Sequence, residues 1–273
     1  MERFAVLTSS SGVSEGAATQ VAASLNGSPH RLNENAVEVA FTGDPVTITL
    51  DGIDLNYVPA QKRTKSLLIA DMDSTIITVE CIDELADFAG KKAEVSDITE
   101  RAMRGELDFE QALDERVSML KGVTSEEIQT CFEERVTLSP GSADLINTMN
   151  QRGMTALVSG GFTVFTDKVA AEVGFQFSHA NTLLFEGNAL SGKVSRPIVT
   201  SSTKLDVLTK LLAERDLDIS DAIAVGDGAN DAPMVKAAGL GVAYKAKPAL
   251  KEVADAILDH SDLTAILALQ GIA

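Results

Sequence analysis

The alternation of short apolar runs with helical patterns after residue 66 is the feature that most constrains the fold. Four runs have the length and composition of buried strands, at residues 67–70, 156–159, 222–226 and 240–243. Helical patterns accompany them at 141–152, 162–173, 204–215 and 231–238. Alternation of this kind predicts an α/β fold, with a Rossmann-like parallel sheet and helices on both of its faces.

Residues 78–138 interrupt this alternation. They contain four successive helical patterns, at 81–89, 94–104, 109–121 and 125–134, with no strand pattern between them. The sequence therefore predicts a helical cap, inserted directly after the first core strand.

The first 57 residues differ from the rest of the chain. Ser, Gly, Asn and Thr are frequent, and short apolar runs at 37–41 and 46–50 lie between turn signals, which predicts a small α/β or mostly β module. A polar, basic stretch follows at 58–65, so we place a domain boundary near residue 62, between a module at 1–62 and a larger domain at 63–273. A regulatory or dimerisation role, and with it a homodimer, is compatible with this module.

Charge and cysteine content limit the partners. The 273 residues carry 23 Lys and Arg against 40 Asp and Glu, a net charge of −17, which argues against nucleic acid or an anionic membrane as a partner. No apolar run approaches the ~18 residues of a membrane span. The two cysteines, Cys81 and Cys131, form no CxxC pair and indicate a reducing, cytoplasmic setting.

Carboxylates and small polar residues follow three of the predicted strands. Asp71 and Asp73 come after the first strand, Ser159-Gly160-Gly161 after the second, and Asp227 and Asp231 after the third. The carboxyl ends of parallel strands share one edge of the sheet, where ligands bind. Four converging carboxylates would be costly without a cation, so the sequence predicts Mg²⁺, with water and substrate phosphate as its other ligands.

This set of residue types also fits phosphoryl chemistry. A carboxylate can act as a nucleophile and form an aspartyl phosphate. Lys204 would neutralise phosphoryl oxygens, while Ser159 and the N–H groups at Gly160-Gly161 would donate hydrogen bonds. Taken singly, each has another interpretation: an Asp that caps a turn, a solvated helix Lys, a tight Ser-Gly-Gly turn. Only their combination and order favour a catalytic site.

The segment Asp71-Met72-Asp73-Ser74-Thr75 resembles the DxDxT signature of the haloacid dehalogenase superfamily. Ser159, Lys204 and the acidic run at 226–231 then follow in the order typical of that superfamily. The resemblance covers residues 66 to about 270. More narrowly, the stretches 71–80, 105–117, 158–162 and 225–231 are similar to phosphoserine phosphatases.

The resemblance implies a reaction and roles for the acidic residues. The reaction is hydrolysis of O-phospho-L-serine to L-serine and phosphate through an aspartyl phosphate, the final step of serine biosynthesis. Asp71 would attack phosphorus, and Asp73 would act first as general acid and then as general base. Magnesium would be held by Asp71, the main-chain carbonyl of Asp73 and Asp227. Asp231 would support that site, and Asn230 would support both the metal and the substrate.

Two cap residues would recognise the amino acid. The resemblance assigns its ammonium to Glu80 and its carboxylate to Arg116, with Met103 and Phe109 as neighbours that influence the choice of leaving group. Arg116 also interrupts the apolar stripe of its predicted helix, where a nonpolar residue is expected. An arginine in such a place either extends to water or meets a planar anion. Glu80, near a helix start, could instead simply favour the helix dipole.

Two rival functions stay open at this stage. A related phosphatase or phosphotransferase acting on another small phosphoester would share the same core residues. A phospho-accepting signalling module would share an acidic cluster, a hydroxyl and a lysine, but Asp73, the length of the chain and the cap argue against it. Residues 187–194 match the spacing of a phosphate-binding loop, yet Val194 replaces the required Ser or Thr, and the flanks have the pattern of a β-hairpin.

Overall fold

The computed structural model describes residues 2–103 and 106–273. The side chains of Glu100, Ala102, Met103 and Phe109, and all of Arg104 and Gly105, lie outside the described part. The predicted contributions of Met103 and Phe109 therefore stay untested. The N-terminal elements are β1 (Glu2–Thr8), α1 (Glu15–Ser24), β2 (Pro29–Asn33), β3 (Ala36–Thr42) and β4 (Asp54–Pro59). The four strands form an antiparallel sheet in the order β2-β3-β1-β4, with apolar side chains of α1 packed in the core of this module.

The apolar run at residues 46–50 contributes to the module without forming a strand. Val46, Ile48 and Leu50 alternate with exposed residues and pack against the core of the module, but residues 44–50 form no strand. The Tyr57 hydroxyl donates to the Val46 carbonyl over 2.7 Å, which gives that carbonyl a side-chain partner. The alternation of packed and exposed side chains therefore arises here from packing against the module, without backbone pairing to a strand.

A six-stranded sheet forms the centre of the larger part of the chain. The further strands are β5 (Leu67–Ala70), β6 (Met154–Phe162), β7 (Phe177–Asn181), β8 (Leu183–Glu186), β9 (Ala189–Val194), β10 (Ala222–Gly226), β11 (Leu240–Tyr244) and β12 (Ala256–Leu258). The sheet order is β12-β11-β10-β5-β6-β7, and every neighbouring pair is parallel. Strands in such a sheet are buried on both faces, which explains the uninterrupted apolar run of β5.

Helices cover both faces of this sheet, as predicted. The further helices are α2 (Cys81–Phe88), α3 (Lys92–Met103), α4 (Phe109–Met119), α5 (Ser125–Arg135), α6 (Ser142–Asn150), α7 (Thr163–Val173), α8 (Ser201–Ala213), α9 (Ala232–Ala237), α10 (Pro248–Lys251) and α11 (Ala265–Leu269). Leu68 packs in one apolar cluster with residues of α6, α7 and α11. Leu67 packs in another with residues of α8 and α9. The predicted α/β fold class is confirmed.

The helices α2 to α5 form the insertion between β5 and β6. Local signals set their starts: Asp108 accepts from two N–H groups of α4, and Thr124 forms a reciprocal capping box with Glu127 at α5. The chain leaves and returns at adjacent points, because Ser139 N donates to Ile76 O over 2.8 Å. The insertion therefore projects from the carboxyl end of β5.

The hairpin at residues 183–194 and the lengths of the helices bear on two further predictions. The strands β8 and β9 pair in an antiparallel hairpin, so residues 187–194 form no phosphate-binding loop. Among the described residues, no helix combines the length and apolar character needed to cross a membrane.

The N-terminal module packs closely on the larger domain. Val6, Ala36 and Val58 belong to the same apolar cluster as the core helices. At the sheet edge, the Asn56 amide accepts from Ile257 N over 2.8 Å and donates to Ile257 O over 2.9 Å. The module thus covers the exposed backbone of edge strand β12.

Candidate active site

Strand register brings the predicted residues to one edge of the sheet. Ala70 at the end of β5 is paired with Leu157 on one side and Val225 on the other. The residues that follow these strands therefore emerge side by side. Asp71 extends the pairing by one step, since its N–H donates to Val225 O over 3.0 Å.

A buried ion pair joins Asp71 to Lys204. The Lys204 ammonium lies 2.8 Å from Asp71 Oδ1, and both side chains are almost fully buried. Asp71 Oδ1 also accepts from Met72 N over 2.7 Å, and Asn230 Nδ2 donates to Asp71 Oδ2 over 3.3 Å. These contacts fix the orientation of the Asp71 carboxylate. The solvated alternative for Lys204 does not apply.

Asp231 supports both Lys204 and the loop after β10. Its Oδ1 accepts from the Lys204 ammonium over 2.6 Å, and its Oδ2 accepts from the N–H groups of Asp227 and Gly228 over 3.2 and 3.1 Å. Burial alone would lower the pKa of Lys204, but the adjacent carboxylates of Asp231 and Asp71 raise it. Lys204 therefore stays charged at physiological pH.

Asp71, Asp227 and Asp231 form an acidic triad that could bind a metal ion. Each offers a carboxylate oxygen, and these oxygens all lie within 4.8 Å of one another. Burial, and then the charge of Asp71, raises the pKa of Asp227 to about 8 and that of Asp231 to about 7. When all three acids are ionised beside one lysine, they carry excess negative charge, which a hard divalent cation would offset. The donor set fits such an ion, and Asp231 already serves Lys204 and the loop.

Asp73 lies on the cap side of Asp71, in the tight turn Met72–Ile76. Its Oδ1 accepts from Cys81 N over 3.1 Å. Burial, followed by the charges of Glu80 and Asp71, holds the pKa of Asp73 well above its usual range. The raised pKa favours the protonated form of Asp73, which can act as a proton donor. Gly161 faces it closely, since a Cβ there would lie 2.7 Å from Asp73 Oδ2.

Ser159 and Gly160 lie in an irregular part of β6. The pairing of β6 with β7 shifts register between Val158 and Phe162. The Ser159 hydroxyl is buried and accepts from Gly161 N over 2.8 Å. Asn181 at the end of β7 donates to Gly160 O over 2.8 Å and accepts from Val199 N over 2.7 Å. Asn181 thereby joins this segment to the approach to α8.

Glu80 and Arg116 face the site from the cap. Glu80 Oε1 accepts from the Ser74 hydroxyl over 2.6 Å. The Arg116 guanidinium is half-buried, and burial lowers its pKa, while the charges of Asp83, Glu80 and Asp73 partly oppose that shift. Arg116 therefore does not extend to bulk water. The ligands of both residues stay predictions.

Three polar residues of this region were not found from sequence. They are Asp83, Thr99 and Asn181. Asp83 Oδ1 is buried without a hydrogen-bond partner among the described residues, and Thr99 accepts a hydrogen bond from Arg116. These contacts arise from packing between separate helices and strands, and no local sequence pattern announces them. Asn181 is a polar residue at the end of β7. The sequence would have indicated it if β7 had been predicted as a strand of the sheet.

Comparison with known families agrees with this geometry. The profile of the haloacid dehalogenase-like hydrolases matches residues 65–239, which include the acidic triad, Asp73 and Lys204. The chain belongs to the haloacid dehalogenase-like hydrolases. It is therefore an enzyme.

Curated relatives make the assignment narrower. The chain is 41% identical over 232 residues to the phosphoserine phosphatase of Albidiferax ferrireducens, covering 82% of this chain and 98% of the relative. It is 39% identical over 218 residues to the phosphoserine phosphatase of Archaeoglobus fulgidus, covering 79% of this chain. The chain spans 63% of the length of that second relative. Within the haloacid dehalogenase-like hydrolases, these relatives are phosphatases.

A solved structure extends the likeness to the N-terminal module. The probable phosphoserine phosphatase of Vibrio cholerae superimposes with a TM-score of 0.82 at 32% identity, covering 98% of this chain and 86% of the other. This haloacid dehalogenase-like hydrolase therefore shares its arrangement of module, sheet and cap with a relative.

Proposed function

We propose that the chain hydrolyses O-phospho-L-serine to L-serine and phosphate through an aspartyl phosphate on Asp71. The observation that carries this proposal is the buried pair of Asp71 and Lys204 beside an acidic triad. Glu80 and Arg116 interact electrostatically with Asp73 from the cap side. The buried pair and the triad would handle a phosphate, while Glu80 and Arg116 would suit an amino acid. The phosphoserine phosphatase relatives support the choice of substrate.

In the first step, an Asp71 oxygen attacks phosphorus and the bond from phosphorus to the serine oxygen breaks. Asp73 donates its proton to that oxygen, and its raised pKa supports a protonated starting state. In the second step, a water oxygen attacks phosphorus while Asp73 takes a proton from the water. The bond from phosphorus to Asp71 breaks, which regenerates both carboxyl groups in their starting states.

Lys204, Ser159, Gly160 and Asn230 would hold the phosphoryl oxygens. The Lys204 ammonium has three N–H donors, and two carboxylates engage it in the structure, which leaves a third for phosphate. Ser159 and Gly160 lie on the neighbouring strand, and Asn230 Nδ2 is already directed at Asp71. Such fixed donors stabilise charge that develops on phosphorus during transfer.

We propose that the metal is Mg²⁺, held by Asp71, Asp227 and the main-chain carbonyl of Asp73, with Asn230 and Asp231 in support. Magnesium prefers oxygen donors and keeps waters or phosphate oxygens among its ligands, which suits a site with few protein carboxylates. A bound divalent ion would neutralise the negative charge shared by nucleophile and substrate.

At the cap, Glu80 would bind the substrate ammonium and Arg116 its carboxylate. We propose that residues 63–273 form the catalytic domain and that residues 78–138 act as a cap over it. A closed cap would strip water from both charged groups, so each needs a charged partner. Residues 1–62 would form a separate module.

We further propose a cytoplasmic location, since both cysteines are buried free thiols, and a small phosphoester as the partner, not nucleic acid or membrane. A homodimer formed through the module stays a proposal.

Phosphate release from a substrate panel tests the proposed function. O-phospho-L-serine, O-phospho-L-threonine and glucose 6-phosphate are compared, each with excess magnesium and with excess chelator. We expect the highest kcat/KM for O-phospho-L-serine and no turnover in chelator. A preference for the sugar phosphate would favour the alternative of a related phosphatase. Stable retention of phosphate on the protein would favour the signalling module.

A further inference from the structure

The Arg116 guanidinium is held by two uncharged groups. Its Nε donates to Ala112 O over 3.2 Å, one turn earlier in α4. Its Nη1 donates to the Thr99 hydroxyl over 3.1 Å, on the neighbouring helix α3. Nη2 has no hydrogen-bond partner among the backbone and side-chain atoms that the structure describes, so part of the guanidinium fork can take a ligand.

Thr99 is itself fixed as an acceptor. Its hydroxyl donates to Val95 O over 3.0 Å, within the same helix. Because that bond uses the only hydroxyl hydrogen, a lone pair of the oxygen is left to face Arg116. The contact therefore has a defined direction and joins α3 to α4.

Arg116 is near several carboxylates but is hydrogen-bonded to uncharged groups. Asp83, Glu80 and Asp73 influence the charge of Arg116, yet none of these three carboxylates lies within 4 Å of its guanidinium nitrogens. A carboxylate partner would orient the guanidinium but would also neutralise it. A hydroxyl and a carbonyl orient it and leave its charge for an incoming anion.

We propose that Thr99 is a positioning residue that sets the selectivity of this phosphatase for phosphoesters bearing a carboxylate. It holds Arg116 so that the remaining N–H groups can take that carboxylate in a forked contact. This inference rests on the proposed function, in which Arg116 binds the carboxylate end of the substrate.

The test compares two substrates that differ in the carboxylate. O-phospho-L-serine carries it, and phosphoethanolamine lacks it but keeps the ammonium and the phosphate. Thr99→Val removes the acceptor with little change of shape, and Thr99→Ser keeps it. Thr130→Val is the matched control, because Thr130 is also half-buried in the cap and donates to a carbonyl one turn earlier, Glu126 O, over 2.9 Å.

We expect Thr99→Val to raise KM for O-phospho-L-serine ~10-fold with little change in kcat, which corresponds to ~1.4 kcal/mol. Its kcat/KM for phosphoethanolamine should stay unchanged. Thr99→Ser and Thr130→Val should behave as wild type with both substrates. An equal loss on both substrates, no loss on either, or failure of Ser to rescue would overturn the proposal.

Arg116→Ala separates this proposal from the proposed function. If it removes the preference for O-phospho-L-serine while Thr99→Val does not, the role of Thr99 alone is overturned. If it leaves that preference intact, Arg116 does not bind the carboxylate, and the proposed roles of Arg116 and Thr99 are both overturned while the choice of substrate stands.

Discussion

The Lys204 ammonium lies 2.8 Å from Asp71 Oδ1 and 2.6 Å from Asp231 Oδ1, in a place from which water is almost excluded. One buried cation thus offsets two buried carboxylates. Such a group contributes to stability, because its removal leaves buried charges without a partner. In the proposed mechanism it also holds phosphoryl oxygens.

Lys204→Met should both destabilise and inactivate the protein. Removing one partner of a buried ion pair typically costs ~3–5 kcal/mol, and we expect a loss of this order in the free energy of unfolding. Urea denaturation in excess chelator measures it without a contribution from metal. The control is Lys210→Met on the same helix. Lys210 is exposed, and its ion pair with Glu214 is long, at 3.8 Å. Equal stability of the two variants would contradict this account.

A double variant separates charge balance from catalysis. Adding Asp231→Asn to Lys204→Met removes one of the two carboxylates left unpaired, so part of the lost stability should return. Activity should not return, because the phosphoryl oxygens still lack the ammonium. Recovery of phosphate release in the double variant would exclude Lys204 from the proposed mechanism.

Gly161→Ala should slow the reaction through Asp73. A Cβ at this position would lie 2.7 Å from Asp73 Oδ2 and 3.0 Å from Ser159 Oγ, so the acid must shift. General acid–base catalysis contributes ~10²–10⁴-fold, and we expect kcat for O-phospho-L-serine to fall by ~10-fold or more. Gly16→Ala on α1 is the control, since its Cβ would meet no atom within 4 Å. A kcat equal to that of wild type in Gly161→Ala would show that the reaction does not depend on the observed position of Asp73.

Arg116→Ala should change selectivity more than chemistry. Truncating one partner of a buried charge pair costs ~2–5 kcal/mol, so kcat/KM for O-phospho-L-serine should fall ~30-fold or more. Hydrolysis of p-nitrophenyl phosphate, which has neither carboxylate nor ammonium, should fall far less. Arg135→Ala serves as the control, because Arg135 is an exposed cap arginine 3.6 Å from Asp87. Parallel loss on both substrates would assign Arg116 to phosphate handling or to structure.

Asn56→Leu tests the contact between module and sheet edge. The substitution leaves Ile257 N and O without their side-chain partner, at a cost of ~1–3 kcal/mol for each buried group left unsatisfied. We expect a lower midpoint of urea unfolding with unchanged kcat, because Ile257 lies on the edge strand β12, away from the catalytic end of β5. Asn147→Leu, at an exposed position of α6, is the control. A lower kcat in a fully folded Asn56→Leu protein would contradict this expectation and would show that the module influences the active site.

Central and locally capped elements could be predicted from the sequence. The strand β5 was predicted with the bounds that the structure shows, since a strand buried on both faces is an uninterrupted apolar run. The four cap helices were predicted within a few residues of their ends. The edge strands β7 and β12 were missed, because the first is partly exposed and polar and the second has only three residues.

The candidate site was predictable where its residues follow strands in chain order, as for Asp71, Asp73 and Asp227. Their placement at one edge follows from parallel topology alone. Thr99 and Asp83 could not be found in this way, because their importance depends on how α2, α3 and α4 pack together. The prediction of a phosphoserine phosphatase agrees with the curated relatives, while the roles of single residues stay predictions.

Phosphate release from O-phospho-L-serine by wild type and Asp71→Asn, measured side by side with excess magnesium, tests the central claim most directly. The amide is isosteric with the carboxylate but is neither a nucleophile nor a good metal ligand. We predict that activity falls below about one per cent of wild type. Such a loss of ~10²-fold or more is expected when a group takes part in the reaction itself. Circular dichroism should show that the fold is kept. Substantial phosphate release from a folded Asp71→Asn protein would contradict the aspartyl phosphate and the mechanism built on it.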